Sequence, residues 1–218
     1  MWWTAGLNIA VVGFLLLLWY SLCLRWNRRR GRRLLANIES AFANYGHVCG
    51  VEWQSGSQFQ VRLRLSACAF THSTITVRLY PLHKPLGWIV SRLRRESETL
   101  TFDANLICPP SINLEVRNQR RVVKLKSRRP PKGSVVHLHR LGPFILTSRR
   151  DWQRDIASTV QNLANSRECE LLSVAFRRKS PHFSATLPLS AIACVQSSRE
   201  RVFESLRELA SSASTARR

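Results

Sequence analysis

Negative charge is what this chain has least of. Thirteen Asp and Glu stand against thirty-four Lys and Arg in 218 residues, a formal net charge of +21. A carboxylate-dependent catalytic site has little material here, and six of the thirteen acids fall on stretches that read as helix surface. The phosphate-cradling G-x-x-x-x-G-K-[ST] loop is missing, as are G-x-G-x-x-G, H-E-x-x-H, the G-x-S-x-G elbow and the EF-hand loop. These absences weigh against an enzyme without excluding one. Cysteine offers no scaffold either. Cys49, Cys68, Cys108, Cys169 and Cys194 are odd in number and form no close C-x-x-C pair, which argues against a disulfide framework and a zinc site. Reduced thiols buried as small apolar groups are the expectation, and no cofactor or metal is implied.

Residues 1–24 lack charged side chains altogether. From Ala5 to Leu24 the chain is an apolar run that, at about 1.5 Å per residue, reaches about 30 Å, the thickness of a bilayer's hydrocarbon core. Trp2 and Trp3 at one end, with Trp19, Tyr20 and Trp26 toward the other, fit interfacial aromatic belts. A cleaved signal peptide fits poorly: there is no basic n-region, the run is too long, and no small-x-small site precedes Arg25. Leu22 also spoils Tyr20-Ser21-Leu22-Cys23 as a lipoprotein signal, although Cys23 lies where acylation is chemically feasible. The sequence therefore predicts a single transmembrane anchor.

Positive charge begins as soon as the apolar run ends, with Arg25, Arg28, Arg29, Arg30, Arg32 and Arg33 within nine residues. By the positive-inside rule the N-terminus lies outside and the large C-terminal part is cytoplasmic. These membrane-proximal arginines also meet anionic headgroups at about 1 kcal/mol each at most, though a topology determinant is all they need to be. The expected organisation is a short stub at 1–4, an anchor at 5–24, a basic juxtamembrane segment at 25–33, a soluble domain at 34–210 and a flexible tail at 211–218. With 44% hydrophobic residues the chain is rich enough in apolar side chains to bury a core. Five of the basic residues are Lys, leaving 29 Arg. Arg suits bidentate anion pairing, and a GC-rich genome produces the same bias.

Within the domain, Leu34, Leu35, Ile38, Phe42 and Tyr45 have helical spacing, and Gly46 follows as a stop. Either a separate helix spans 33–45 or the anchor continues through Gly31. Strands are expected at 48–53, 58–65 and 74–80, with Phe59, Val61, Leu63 and Leu65, then Ile75, Val77 and Leu79, inward and arginines making the outer face basic. Pro85 opens a short helix carrying Leu86, Ile89, Val90 and Leu93 on one side. Packing into the core is the preferred reading of that face, and contact with a membrane the sharper alternative. Further strands are expected at 99–103, 112–117, 121–126, 134–139, 170–177 and 182–187, the last two as a hairpin across Lys179-Ser180-Pro181. Helices are expected from Ser148 and Asp151 through Leu163, and from Ser197 through Leu209. The order helix then paired strands recurs at 34–80 and 148–187, with no residue-level repeat behind it. The fold class is α+β: a mainly antiparallel sheet with about three helices packed on it.

Three candidate sites emerge. His47 and Cys49, two apart, would point the same way on a strand, as a nucleophile and base require. The plainer reading is a buried cysteine at a loop-to-strand transition. His137 and His139 share a strand face, half a metal site without visible partners. The strongest signal is an acid-free basic block, with Arg117, Arg120, Arg121, Lys124, Lys126, Arg128, Arg129 and Lys132 at its heart and Arg140, Arg149 and Arg150 beyond. Anionic membrane lipid ranks first as its counter-charge because the domain is tethered. An acidic protein ranks second. Nucleic acid is third, since only Phe144 offers a stacking platform. The expected function is a non-enzymatic binding or scaffolding domain. A membrane-bound enzyme acting on an anionic substrate and a subunit of a larger membrane complex are the alternatives.

Overall fold

The computed structural model describes residues 2–65, 70–94, 96–107, 109–110, 113–118, 137–141, 144–148, 171–190 and 204, with 137–141 and 144–148 described as backbone. Its first element is a helix, α1, running unbroken from Trp2 to Phe42. The apolar helix thus continues straight through the basic segment and Gly31, and no separate helix begins at 33. At about 1.5 Å per residue it is about 60 Å long. Two regimes divide it. From Leu7 to Leu22 its large apolar side chains are exposed, and the helix is long and apolar enough to cross a membrane. Beyond, Asn27, Gly31, Leu34, Ile38 and Ala41 are buried at alternating spacings of four and three, with Phe42 beside them. That spacing keeps one narrow stripe in register along a straight helix.

The stripe lies on a sheet. β1 (Gly46–Ser55), β2 (Gln58–Leu65), β3 (Phe70–Arg78) and β4 (Thr99–Leu106) form a meander with a short helix, α2 (Pro85–Leu93), between the last two. β5 (Leu114–Asn118), β6 (His137–Leu141), β7 (Phe144–Ser148), β8 (Ser173–Phe176) and β9 (Phe183–Pro188) complete a nine-stranded sheet of order β1-β2-β3-β4-β9-β8-β5-β7-β6. Every neighbouring pair is antiparallel. Compared with the expected boundaries, β3 begins four residues earlier, at Phe70, and β4 runs on to Leu106. β7 was not anticipated. The proposed strand at 121–126 lies outside the described residues, as does the helix expected from Ser148 through Leu163 apart from Ser148 itself, which ends β7. Of the helix expected at 197–209 Glu204 alone is described, so two helices are described rather than about three. The hairpin at 179–181 is present between β8 and β9, with a cis Ser180–Pro181 bond.

Register explains the core. Val61 pairs with Ile75, Ile75 with Phe102, Phe102 with Ala185, Ala185 with Val174, and Val174 with Val116. All six are buried and therefore share one face. The rows on either side place Phe59, Val77, Leu100 and Leu187, then Leu63, Ser73, Ala104, Phe183, Phe176 and Leu114, on the same face. Ser73 is accommodated there because its hydroxyl donates to the Leu63 carbonyl at 3.2 Å. Phe42 of α1 stacks on Phe102 at 6.3 Å, and Phe70 and Phe183 meet the same ring edge-on. These rings join helix and sheet.

The opposite face departs from expectation. It is lined by Thr74, Thr76, Thr101, Thr186 and Ser184 more than by arginine, and Arg62 and Arg117 are matched by Glu52 and Glu115 on it. It is hydroxyl-rich and mixed in charge rather than uniformly basic. Edge strand β1 carries register shifts at 48/50 and 53/55, irregularities that discourage edge-to-edge pairing. Gly46 opens β1 instead of capping α1. A side chain there would collide with the Arg64 carbonyl.

Gly31 is the closest approach of helix to sheet: a Cβ there would lie 2.6 Å from the Trp53 ring. Gly31→Ile should cost about 1–3 kcal/mol through overpacking, read as a lower thermal midpoint of the full chain in detergent. Combined with Trp53→Ala, the loss should be clearly smaller than the two single losses added. Strict additivity would remove the contact as the cause.

Candidate functional site

The sheet end nearest the apolar part of α1 collects most of the polar contacts between helix and domain. Asn27 sits at 1% exposure in the buried stripe. Its Nδ2 donates to the Gly56 carbonyl at 3.1 Å and the Tyr80 carbonyl at 3.2 Å. Those two acceptors fix the amide orientation, because a flipped amide would set Oδ1 against both carbonyls. Gly56 lies in the β1–β2 turn and Tyr80 just beyond β3, so one side chain ties two turns to the helix.

One helical turn further, Arg30 grips Glu98 with a two-pronged pair: Nη1 donates to Oε1 at 2.8 Å and Nη2 to Oε2 at 2.7 Å. The Glu98 side chain is 9% exposed, and it also accepts the Tyr80 backbone N–H at 3.3 Å. Tyr80 in turn donates its hydroxyl to the Glu96 carbonyl at 2.6 Å. Among the membrane-proximal arginines, Arg30 is therefore structural. Arg25, Arg28, Arg29, Arg32 and Arg33 are exposed and have no ion-pair partner among the described residues.

The contacts climb further along α1. The Trp19 indole Nε1 donates to the Leu82 carbonyl at 3.3 Å, and Tyr20 meets His83 edge-on at 5.8 Å. The His83 ring is buried against Gly56, where an added Cβ would come within 3.2 Å of it. Burial first, and the neighbouring Lys84 charge second, hold the His83 imidazole below the usual histidine range. Asn27 Oδ1 and His83 Nδ1 are both buried without a hydrogen-bond partner among the described residues.

The anticipated candidates fare differently. His47 and Cys49 both lie on β1 and both are exposed, which overturns the buried-cysteine reading. Cys49 falls at the register shift between Val48 and Gly50, an unpaired position that re-aims its side chain. Neither side chain has a hydrogen-bond partner among the described residues, so no base is aligned on the thiol. His137 and His139 occur on edge strand β6, opposite Ser148 and Leu146. Among the described residues no three His, Cys, Asp or Glu side chains gather as metal ligands.

Of the basic block, Arg117 is described. It is bound to Glu115 through Nε at 2.8 Å and Nη2 at 2.6 Å, and so is already paired. Arg120, Arg121, Lys124, Lys126, Arg128, Arg129 and Lys132 lie outside the described residues. The register nonetheless says where the chain departs. Arg117 shares a transverse row with Ser173, Thr186 and Thr101, whereas Leu114 shares one with Phe176, Phe183 and Ala104. β5 therefore runs toward the end marked by Glu98, and in the sequence Arg120 and Arg121 come shortly after its last residue, Asn118.

Asn27, His83 and Glu98 escaped the sequence reading. Only the alternating spacing 27, 31, 34, 38, 41 carried a signal for Asn27, and it was obscured by the surrounding arginines. The sequence matches no protein-family model and no curated protein, so the geometry alone carries the functional reading.

Two tests arise from this cluster. Arg30→Met should cost about 1–2 kcal/mol because it strands a nearly buried carboxylate, and Arg30→Met with Glu98→Gln should cost less than the sum of the two single changes. A cycle showing no coupling would make the pair incidental. His83 sets a pH dependence. Because its folded-state value is depressed, the unfolded chain takes up the proton first as pH falls. There is no penalty above about pH 6.5, and stability is lost progressively from there down to the folded-state value. The midpoint of thermal unfolding should fall across that window, and His83→Gln should flatten the profile. An unchanged profile would assign the loss to other groups.

Proposed function

We propose that this protein is a single-pass, membrane-anchored, non-enzymatic scaffolding domain that presents its basic block to anionic headgroups on the cytoplasmic surface of the bilayer. The observation that supports it most directly is the departure of β5 at the sheet end held toward the apolar part of α1. Because α1 runs unbroken into the domain and is bonded to it at Asn27 and Arg30, that end is held at the membrane instead of swinging on a linker. The strand that precedes Arg120 and Arg121 in the sequence then ends on the membrane side. Exposed Arg25, Arg28, Arg29, Arg32 and Arg33 add to the same local field.

The positive charge alone does not select lipid over an acidic protein or nucleic acid. The tether does, since headgroups are the anions that such a domain meets continuously. An enzyme built on Cys49 and His47 has no comparable support, because the two exposed side chains lack an orienting partner.

Charge reversal tests the reading. The full chain, extracted in mild detergent from a membrane containing acidic phospholipid, should retain those lipids at low salt and release them as salt rises. Arg120→Glu with Arg121→Glu should lower retention, and adding Arg128→Glu with Arg129→Glu should lower it further. Equal retention by the fourfold variant would leave the block without this role. Salt-sensitive co-purification of an acidic protein or of nucleic acid, with no lipid effect, would replace the lipid reading.

A further inference from the structure

Helix α2 presents the wrong side to the world for a soluble domain. Leu86 is 78% exposed and Leu93 75%, with Ile89 and Val90 open beside them. At 3.6 residues per turn these four occupy an arc of roughly 100°, so they make one continuous apolar face. Its opposite side is tied down. Ser91 is the buried residue of α2, and its Oγ donates to Glu96 Oε2 at 3.1 Å, next to the Glu96 carbonyl that accepts the Tyr80 hydroxyl. The core-packing reading of this face is therefore wrong: the residues expected to point inward point out, and a polar serine faces the domain.

The position of α2 says what covers that face. The chain enters α2 directly from Leu82 and His83, which touch Trp19 and Tyr20 of α1. Those aromatics belong to the last turns of the apolar run, before the first charge at Arg25. The start of α2 is thus level with the boundary between hydrocarbon and headgroups, if α1 crosses the bilayer. Basic residues frame the face: Lys84 precedes it, Arg92 and Arg94 flank the arc, and no acid lies in the first turn. Arg92 folds its guanidinium over the Trp88 ring at 5.6 Å, on the side of α2 away from the apolar arc. An apolar arc bordered by cations is the pattern of helices that lie in the plane of an anionic interface.

We infer that α2 is a second membrane contact, its Leu86, Ile89, Val90 and Leu93 face resting in the headgroup–acyl boundary of the bilayer that α1 spans. Nine residues are too few to hold a free helix on a membrane, but α2 is already delivered there by α1, so its local concentration at the surface replaces intrinsic affinity. A spanning helix and a lateral foot together define the tilt of the sheet above the bilayer, which one helix cannot do. This rests on the reading of α1 as the anchor. Unlike that of the basic block, its main contact is apolar, and the flanking cations add to it where the lipid is anionic.

Photocrosslinking of the full chain in phospholipid nanodiscs tests it. p-Benzoylphenylalanine is placed singly at Leu86 or Leu93 on α2, at Leu16 in the anchor, and at Asn44 beyond the far end of α1. All four sites are exposed and tolerate the ring. The expected result is lipid adducts at Leu16, Leu86 and Leu93 and none at Asn44. Adducts at Leu16 with none at Leu86 and Leu93 would overturn the inference and leave the anchor standing. Crosslinks from Leu86 or Leu93 to another copy of the chain would overturn it in favour of a protein interface. Absence of lipid adducts at Leu16 would remove the anchor and the second contact together.

Discussion

A long helix entering a domain says nothing about the rotation or height of that domain unless a buried polar group sets both. Asn27 is that group here. Its two hydrogen bonds to the Gly56 and Tyr80 carbonyls are worth about 0.5–1.5 kcal/mol each, while its orphaned Oδ1 costs about 1–3 kcal/mol. Gain and cost are of the same size, so Asn27 contributes little net stability. Its effect is on register. Sliding the sheet along α1 by one turn would strand both protons of the amide in the core, a penalty with nothing to offset it. Arg30 and Glu98 reinforce the same alignment one turn on.

The rest of the architecture depends on that alignment. Gly31 leaves room for Trp53, so β1 lies close against the helix. Phe42 then falls over Phe102, where the aromatic contacts of β3, β4 and β9 converge. Stability comes mostly from these apolar rows. Removing a ring such as Phe102 would cost about 3–5 kcal/mol, more than any one polar contact at the other end. The two ends of the helix–domain contact thus divide the labour: the far end supplies burial and the near end supplies position.

Position is what gives the surface its meaning. α2 would be an aggregation-prone apolar patch on a free domain. In the proposed arrangement, beside Trp19 and Tyr20 at the boundary of the bilayer, the same patch is a surface for lipid. The same holds for charge. Arg30 and Arg117 are taken up by Glu98 and Glu115, and Arg62 by Glu52, so a tally of arginines overstates the free positive surface.

The sequence alone determined the features that depend on composition and short periods. These are the apolar run to Leu24, the arginine cluster after it, the α+β class, and the inward Phe59, Val61, Leu63, Ile75 and Val77, because spans and half-buried strands are local patterns. It left open whether α1 stops at Gly31, since glycine weakens a helix without ending it, and tertiary contact with Trp53 decided for continuity. It misjudged α2, Cys49 and the outer sheet face for one reason. Periodicity shows that residues share a side, but not whether that side meets the core, water or lipid. That choice belonged to the folded geometry: Ser91 meets Glu96 just past the end of α2, Arg62 meets Glu52 across the β1–β2 hairpin, and Asn27 binds two carbonyls far along the chain. The first two depend on how a turn and a hairpin are shaped, and the Asn27 contacts join segments that only the folded chain brings together.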